Sequence, residues 1–469
     1  LCYFRVKRAI DIMINLNVVI LAAGAGKRMQ SSLPKVLHNL AGRPLLAHVI
    51  NIARLLSPQK ICIVIGHGGE VVKQSTAADD LTWVMQEQQL GTGHALMQAQ
   101  SHLDKDGFTL VLYGDVPLVS IDTLRELIQQ SEGKYFSLLT ALVKDPFGYG
   151  RIIRDPETSE IIAIVEQKDA NADQQAINEI NTGVMLIPNI QLHSWLPNIG
   201  NNNAQHEYYL TDIIGMAVKE NIHIRSTHPR NFWEVMGVNN KHQLAELERI
   251  YQKEQAYNLL ESGVGITDPA RIDIRGELSC GSDVEIDINC IFEGNVKLGN
   301  DVKVGAHCTL RNVTVESGTI IHPYSLIEGA EIGENCKIGP YARIRPGTKL
   351  ASKVHIGNFV EIKNSQIALG SKANHLSYIG DSVVGKHVNV GAGTITCNYD
   401  GAYKHQTIIE DDVFIGSNTQ LISPVKISKG STIGAGSTLI KDTPEDSLTL
   451  SRTKQVSYTE WKRPTKLKK

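Results

Sequence analysis

The chain has 469 residues, a formal net charge of −2 and 42% hydrophobic residues. This length accommodates two or three domains with sizeable cores, and the near-neutral charge argues against a general affinity for nucleic acid. The seven cysteines form no CxxC pair, which argues against a disulfide framework or a zinc site and predicts a cytoplasmic protein. A basic end, residues 462–469, is typical of a solvated terminus.

Residues 1–12 (LCYFRVKRAIDI) are expected to be an upstream extension, with Met13 as the start of the protein. Basic residues followed by apolar ones imitate a signal peptide, but Asp11, Asn15 and Asn17 interrupt the apolar stretch. No apolar stretch is long enough to span a membrane, so we expect no membrane span.

Residues 13–240 alternate between apolar strand-like runs and amphipathic segments. This alternation predicts a parallel, Rossmann-like α/β sheet covered by helices, with ligands at the carboxyl ends of the strands. The predicted strands are Asn17–Leu21, Lys60–Ile65, Thr82–Met85, Phe108–Tyr113 and Ser137–Leu142, and helices are predicted over Pro44–Leu55 and Ile121–Gln130.

A glycine-rich loop, residues 21–29 (LAAGAGKRM), directly follows the first predicted strand. Its small residues let backbone N–H groups approach phosphate oxygens, and Lys27, Arg28 and Lys35 would add positive charge for a triphosphate. The loop is not a P-loop and lacks the third glycine of a dinucleotide motif. From this segment alone, a plain strand–helix turn remains an alternative.

The loop and the LPKVL segment that follows it resemble those of sugar-nucleotide pyrophosphorylases. The resemblance continues through Gln86 and residues 88–95, 113–117, 148–151, 165–168, 179–183 and 237–240. It implies that a sugar phosphate attacks the α-phosphorus of UTP and releases pyrophosphate. Catalysis would then depend mainly on positioning and charge neutralisation.

The same resemblance implies the roles of individual residues. Arg28 and Lys35 would be catalytic, and Asp115 and Asn239 would bind Mg²⁺, which takes few protein oxygens and keeps its waters. Without the resemblance, Asp115 could equally be a helix cap. The nucleotide- and sugar-binding positions implied are Leu21, Ala22, Ala23, Gly24, Lys35, Gln86, Gly91, Thr92, Tyr113, Gly114, Asp115, Gly150, Glu166, Asn181 and Asn239.

Residues 241–262 contain neither Gly nor Pro and place apolar residues at helical spacing, which predicts a linker helix. From residue 263 to 442 an aliphatic residue returns every six positions, most regularly from Ile332 to Ile362 and from Ile415 to Leu439. A period of six predicts three-sided coils that stack into a parallel β-helix, with Gly or a polar residue turning the corners. The long register disfavours an antiparallel β domain. Residues 443–469 lack hexads and are predicted to fold back on the coils or on a neighbouring subunit.

The hexad register slips between residues 363 and 407, and the polar segment Thr396–Gln406 must leave the coil. A loop on a rigid solenoid is a common place for function. His375 lies near Lys363 and Tyr378 on adjacent turns, and an imidazole can take a proton from an attacking amine. Lys363 and Arg345 could hold a sugar phosphate. A purely structural histidine is the alternative.

Residues 13–464 as a whole resemble the bacterial family of bifunctional N-acetylglucosamine-1-phosphate uridylyltransferases/glucosamine-1-phosphate acetyltransferases. The segments that carry this resemblance here are residues 343–347, 357–363, 375–381, 389–401 and 416–417. It implies a left-handed β-helix and a homotrimer that acetylates glucosamine-1-phosphate from acetyl-CoA before uridylyl transfer. His375 would be the general base. The implied glucosamine-1-phosphate ligands are Arg345, Lys363, Tyr378, Asn389 and Asn398, and the implied acetyl-CoA contacts are Ala392, Tyr399, Ser417, Ala435 and Arg452.

Three positions depart from the family pattern, namely Ala25, where a basic residue is usual, Lys27, where Thr is common, and Asn374, where Gly is usual. Two alternatives are a nucleotidyltransferase whose β-helix is only a platform and a non-catalytic assembly protein. The group around His375 argues against the first, and the intact glycine-rich loop with Asp115 argues against the second.

Overall fold

The computed structural model describes residues 14–24 and 26–466. The expectations for residues 1–12, Met13, Ala25 and the last three residues of the basic end lie outside these ranges. The chain divides into two compact units, one ending at Tyr251 and one beginning at Gln252. A helix occupies Lys241–Glu261, where the sequence predicts a linker helix. No helix of the described residues is both long and apolar enough to cross a bilayer.

The first unit is built on one mixed β-sheet with helices on both faces. Its main strands, in spatial order, are Ile224–Thr227, Phe136–Leu142, Glu179–Pro188, Phe108–Tyr113, Leu16–Ala22, Lys60–Ile65 and Leu81–Met85, with Arg151–Arg154 and Ile161–Val165 as an attached hairpin. A two-stranded ribbon pairs Asn39–Leu40 with Arg43–Pro44. The α-helices are Leu45–Arg54, Gly69–Thr76, Thr92–Ala99, Ile121–Gln130, Ala172–Gln175, Asn189–Trp195 and Asp212–Lys219, and the 3₁₀ turns are Lys27–Met29, Lys35–Leu37, Gln100–His102, Leu196–Asn198 and Phe232–Val235.

The sheet contains one central antiparallel strand that the sequence analysis did not predict, beside the predicted parallel strands. Glu179–Pro188 runs antiparallel to both of its neighbours, Phe108–Tyr113 and Phe136–Leu142. A parallel neighbour would need a crossover connection. Residues 143–178 instead contain the hairpin of Arg151–Arg154 and Ile161–Val165, and they lead the chain from Phe136–Leu142 back along the strand beside it. Apolar runs in the sequence report that a strand is buried, but they do not report its direction.

The strands around Leu16–Ala22 are parallel, and their carboxyl ends meet at one edge of the sheet. Leu16–Ala22 is buried along its whole length, because helices cover the sheet on both sides. The chain segments that leave these strands are the glycine-rich loop, Gln86 and Asp115. The buried core therefore places all three at one edge.

The second unit is a parallel β-helix, which confirms the interpretation of the hexads. The first face consists of Gly265–Ile266, Glu285–Ile286, Lys303–Val304, Ile320–Ile321, Lys337–Ile338, His355–Asn358, Lys372–His375, Asn389–Val390, Phe414–Ile415, Thr432–Ile433 and Leu448–Thr449. The second face consists of Glu331–Ile332, Lys349–Leu350, Gln366–Ile367, Ser382–Val384, Thr407–Ile409 and Val425–Ile427. The third face consists of Leu326–Glu328, Arg343–Ile344, Glu361–Lys363, Tyr378–Gly380, Ile395–Cys397, Gln420–Ile422 and Thr438–Leu439. Three long strands come before the second and third faces in the chain: Ile272–Cys280, Cys290–Leu298 and Thr309–Val315.

The interior of the β-helix is a stack of the hexad aliphatics. Ile338 pairs with Ile356 and Ile356 with Ala373, so that one coil takes 17 or 18 residues. Val390 pairs with Ile415, which is 25 residues later, because the segment around Tyr399 leaves the coil as predicted. The strand Leu448–Thr449 still pairs with the first face, so the coil extends beyond the predicted limit at residue 442.

Glycine has a second role in the coils besides the predicted one of turning corners. A Cβ on Gly357 would collide with the carbonyl oxygen of Asn374 in the next coil. Glycine after the aliphatic residue therefore allows neighbouring coils to approach. Many left-handed corners are taken by glycine, such as Gly370 with φ of 72°, and by polar residues, such as Asn335 and Lys353 with φ of 54° and 61°, as predicted.

Candidate active sites

A cavity of about 230 Å³ lies at the carboxyl edge of the first unit's sheet. Ten predicted residues line it: Leu21, Ala22, Ala23, Gly24, Lys35, Gln86, Gly91, Thr92, Tyr113 and Asp115. Four lining residues were not predicted, namely Val36, Gln89, Ala95 and Glu207. The first three stand inside segments that carry the family resemblance. Glu207 lies in HEYYLTD, a segment without a motif that could have marked it.

Two predicted metal ligands, Asp115 and Asn239, both contact the ammonium group of Lys35. The ammonium group of Lys35 forms an ion pair with Asp115 and donates a hydrogen bond of 3.2 Å to Asn239 Oδ1. The backbone N–H of Val238 donates to the Asp115 carbonyl at 2.9 Å, which fastens the Asn239 segment to the strand end. Two oxygens that share one ammonium group also suit Mg²⁺, which prefers a small number of protein oxygens. The residues present therefore fit the implied metal.

A second predicted group surrounds Glu166. Its carboxylate accepts a 3.3 Å hydrogen bond from Thr211, and a side chain on Gly150 would contact its oxygens. Burial desolvates this carboxylate and raises the pKa of Glu166, although the bond from Thr211 opposes the shift. The N–H of Asn181 donates to the Gly150 carbonyl at 2.8 Å, so Gly150, Glu166 and Asn181 lie together, although none of the three lines the cavity.

Gln86, another residue that lines the cavity, is almost completely buried. Its amide nitrogen lies 3.2 Å from the Gly91 carbonyl and 3.0 Å from His94 Nδ1. Because the nitrogen end of the amide is engaged there, the carbonyl end is left to accept a hydrogen bond. Arg28, in contrast, is exposed on the 3₁₀ turn Lys27–Met29 and does not line the cavity.

Gly183→Ala should destabilise the first unit and weaken uridylyl transfer. Gly183 has φ of +84°, and a Cβ there would lie 2.5 Å from the ring of Tyr113, which lines the cavity. Left-handed strain and overpacking each cost about 1–3 kcal/mol. Denaturant unfolding should show a loss of about 2 kcal/mol or more. Gly200→Ala is the matched control, since nothing lies within 4 Å of its Cβ position, and an equal effect in both variants would contradict the prediction.

Four predicted glucosamine-1-phosphate ligands lie together at one edge of the third face. Lys363 and Asn398 both donate to the carboxylate of Asp381, at 3.2 and 2.5 Å. A side chain on Gly380 would contact the Tyr378 hydroxyl and would lie 2.8 Å from Asn398 Nδ2, so Tyr378 reaches this edge. Arg345 begins the same edge and pairs with Glu361 at 2.8 Å.

Lys404 belongs to this edge and was not predicted. The pKa of Lys404 is lowered, mainly because the ammonium group of Lys363 lies next to it, and Arg345 adds to the effect. Lys404, Lys363 and Arg345 therefore lie near one another, and a cluster of cations suits a dianionic phosphate. Lys404 comes from the extruded loop, whose turn is fixed by Asp400 accepting from the N–H groups of Ala402 and Tyr403. Spacing could not have found Lys404, because the loop falls outside the hexad count.

Five of the other predicted residues, His375, Ala392, Ser417, Ala435 and Arg452, form a column along the opposite edge of the third face. His375 Nδ1 lies 2.8 Å from Asn358 Oδ1 in the preceding coil. Each coil contributes one residue to this column, two positions after the residue that its first-face strand points into the interior. These residues are Asn358, His375, Ala392, Ser417 and Ala435. The Arg452 guanidinium donates to the Ala435 carbonyl at 2.9 Å and ends the column. Successive members are about 4.8 Å apart, the spacing of neighbouring strands.

One chain does not bring all the predicted acetyltransferase residues together. Asn389 opens its strand on the first face, between Lys372 and Phe414. It is therefore away from both the third-face edge and the column. Tyr399 is exposed on the extruded loop, where its hydroxyl donates to the Gly401 carbonyl at 2.6 Å.

Comparisons with known proteins support both units. Family models match a MobA-like NTP transferase domain over residues 18–172, a GMPPB C-terminal domain over 274–356 and six bacterial transferase hexapeptide repeats over 406–441. The chain is 64% identical to the bifunctional protein GlmU of Nitrosospira multiformis, over 97% of this chain and 99% of that protein. It is 62% identical to GlmU of Nitrosomonas eutropha and 59% identical to GlmU of Ralstonia nicotianae, in each case over 97% of this chain and 100% of that protein.

Proposed function

Because the chain belongs to the family of bifunctional GlmU proteins, we propose how its two candidate sites divide the synthesis of UDP-N-acetylglucosamine. The enzyme is a nucleotidyltransferase and an N-acetyltransferase. It transfers the acetyl group of acetyl-CoA to glucosamine-1-phosphate. It then transfers the uridylyl group of UTP to N-acetylglucosamine-1-phosphate and releases pyrophosphate.

The observation that carries the proposal is that one chain holds both sets of polar groups. The cavity of the first unit joins a glycine-rich loop to Lys35, Asp115 and Asn239. The β-helix carries a cationic edge and a column that contains His375. A nucleotidyltransferase with an inert β-helix would need neither of the latter two features.

In uridylyl transfer, the chain's residues mainly position and neutralise. Asp115 and Asn239 would hold Mg²⁺, which supplies charge neutralisation on the phosphates when bound. The ammonium group of Lys35 can turn from Asp115 to a phosphate oxygen without leaving the cavity. The Gln86 carbonyl end accepts from the base edge, and Glu166 with Asn181 faces the sugar hydroxyls and the acetamido group. Arg28 is exposed and would have to approach the phosphates from the loop.

In acetyl transfer, His375 acts as the general base. The Asn358 oxygen can only accept, so it fixes the proton on His375 Nδ1 and leaves Nε2 free. Nε2 takes a proton from the amine of glucosamine-1-phosphate as the nitrogen attacks the thioester carbonyl. The new C–N bond replaces the C–S bond, and coenzyme A leaves as the thiol after it takes up a proton. The column from Ala392 to Arg452 would hold acetyl-CoA.

We further propose a cytoplasmic homotrimer. Asn389 and the cationic edge lie on different faces of one β-helix, so one chain alone does not enclose the sugar phosphate. Neighbouring copies that bring one chain's first face to another chain's third face would complete the site. Exposed apolar side chains of the tail, such as Tyr458 and Trp461, are suited to cover a neighbouring subunit.

The test is a paired assay on the full chain. Glucosamine-1-phosphate, acetyl-CoA, UTP and Mg²⁺ together should yield UDP-N-acetylglucosamine, free thiol and pyrophosphate. Removing Mg²⁺ with a chelator should stop pyrophosphate release and leave thiol release. If no UDP-N-acetylglucosamine forms, the proposal is wrong. Pyrophosphate release from added N-acetylglucosamine-1-phosphate and UTP, without thiol release from glucosamine-1-phosphate and acetyl-CoA, would restore the platform alternative.

A further inference from the structure

The carboxylate of Asp381 accepts hydrogen bonds from three side chains at the cationic edge. Asp381 Oδ2 accepts from Lys363 Nζ at 3.2 Å and from Asn398 Nδ2 at 2.5 Å, and Oδ1 accepts from Asn364 Nδ2 at 2.7 Å. Lys363 and Asn398 come from different coils and are both candidate ligands of the sugar phosphate. One side chain therefore joins two coils of the site.

The backbone of Asp381 is held as firmly as its side chain. Its N–H donates to the Lys363 carbonyl at 3.0 Å, and its carbonyl accepts from Thr407 N–H at 3.3 Å. Thr407 is the residue at which the chain re-enters the coil after the extruded loop. Asp381 thus contacts the ligand-bearing strand before the loop and both ends of the loop itself.

The charge of Asp381 also has an electrostatic consequence. The Asp381 and Lys363 side chains are both mostly buried, with 13% and 16% of their surfaces exposed. Burial opposes ionisation of this carboxyl, but hydrogen bonds from Asn364, Lys363 and Asn398 together lower the pKa of Asp381. The carboxylate therefore remains charged at neutral pH and balances Lys363, which otherwise faces the ammonium group of Lys404 and the guanidinium of Arg345.

We propose that Asp381 is a positioning residue for glucosamine-1-phosphate, which holds Lys363 and Asn398 at the phosphate-binding edge before the substrate arrives. This inference rests on the proposed acetyltransferase function. Asp381 itself would not bind the phosphate, because the two groups carry the same sign of charge. Its contribution is to hold the ligands in place, so that binding does not have to order two side chains against mutual repulsion.

The direction in which Asp381→Asn changes KM for glucosamine-1-phosphate distinguishes a positioning role from simple charge repulsion. Asp381→Asn keeps the size of the side chain, and Asn tolerates the left-handed corner with φ of 49°. If Asp381 only repelled the phosphate, its neutralisation would lower KM for glucosamine-1-phosphate. Positioning predicts the opposite, a KM increase of about 10- to 100-fold, since one charge-assisted hydrogen bond to the phosphate is lost. The kcat value should change little, because proton transfer occurs at the opposite edge. An unchanged or lower KM would overturn the proposal.

A double-mutant comparison tests whether Asp381 acts through Lys363. Asp381→Asn should raise KM much less in a Lys363→Ala background than in the wild-type enzyme. An equal factor in both backgrounds would overturn the inference. Asp301→Asn is a matched control, because Asp301 is an exposed aspartate at another left-handed corner, with φ of 56°. It should leave KM unchanged.

Uridylyl transfer by the same preparations serves as the folding control and should be unaffected. Equal loss of both reactions together with a lower Tm would assign Asp381 a structural role only, which also overturns the proposal. The wild-type assay separates this inference from the proposed function. A wild-type enzyme without acetyl transfer refutes the function itself, whereas an active wild type with an unaffected Asp381→Asn variant refutes only the positioning role.

Discussion

His375→Ala should lower kcat for acetyl transfer by about 100- to 10,000-fold and leave uridylyl transfer unchanged. The alanine removes the only group in the proposed mechanism that accepts the amine proton. Because the imidazole is exposed, its removal should change the stability of the fold little. Free thiol release from glucosamine-1-phosphate and acetyl-CoA measures the first reaction, and pyrophosphate release from added N-acetylglucosamine-1-phosphate and UTP measures the second. The two candidate sites lie in different units, so their activities should separate cleanly.

Two further variants make this result interpretable. His355→Ala removes a histidine from the strand one coil earlier and should leave both reactions intact. Asn358→Ala should reduce acetyl transfer less than His375→Ala does. It removes the oxygen that fixes the proton on His375 Nδ1, but it keeps the imidazole that acts as the base. If His375→Ala weakens both reactions equally, the residue is structural. If His355→Ala has the same effect as His375→Ala, the identity of the base is wrong.

The β-helix could be predicted from the sequence because its period has one physical solution. Each hexad contributes one aliphatic residue, such as Ile338 or Ile356, and only stacking of coils buries them all. The strand directions in the first unit's sheet could not be predicted in this way, because buried strands have the same composition in either direction. The direction of Glu179–Pro188 depends on a hairpin connection whose strands, Arg151–Arg154 and Ile161–Val165, were not recognised.

The candidate sites show a similar division. Most residues of the nucleotide cavity stand in motifs that follow strand ends, so their convergence could be predicted from the topology. Lys404 and Asp381 could not be assigned in this way, because their roles depend on contacts between coils 17 or more residues apart. Such contacts exist only after the coil register is fixed. Arg28 shows the converse, since a motif position does not guarantee that a side chain faces the cavity.

Asp115→Asn should lower uridylyl transfer by about 1,000-fold, equal to about 4 kcal/mol of transition-state stabilisation, and leave acetyl transfer unchanged. The substitution keeps the shape of the side chain but removes the charge of a proposed Mg²⁺ ligand. Pyrophosphate release measured over a range of Mg²⁺ concentrations is the readout, and the Mg²⁺ requirement should rise. Asp80→Asn is the matched control, because Asp80 forms an exposed ion pair with Arg54 in the same unit. Unchanged activity and Mg²⁺ dependence in Asp115→Asn would contradict the metal assignment.

Lys35 provides a second, opposite test of the same site. Its ammonium group contacts both proposed ligands, so it competes with a metal ion for the oxygens of Asp115 and Asn239. Lys35→Ala should therefore lower the Mg²⁺ concentration required for half-maximal activity, while kcat falls because a phosphate contact is lost. Asp115→Asn should shift the Mg²⁺ requirement in the other direction with a similar loss of kcat. If both variants shift it in the same direction, Lys35 does not occupy the metal position, and the convergence of these oxygens has another cause.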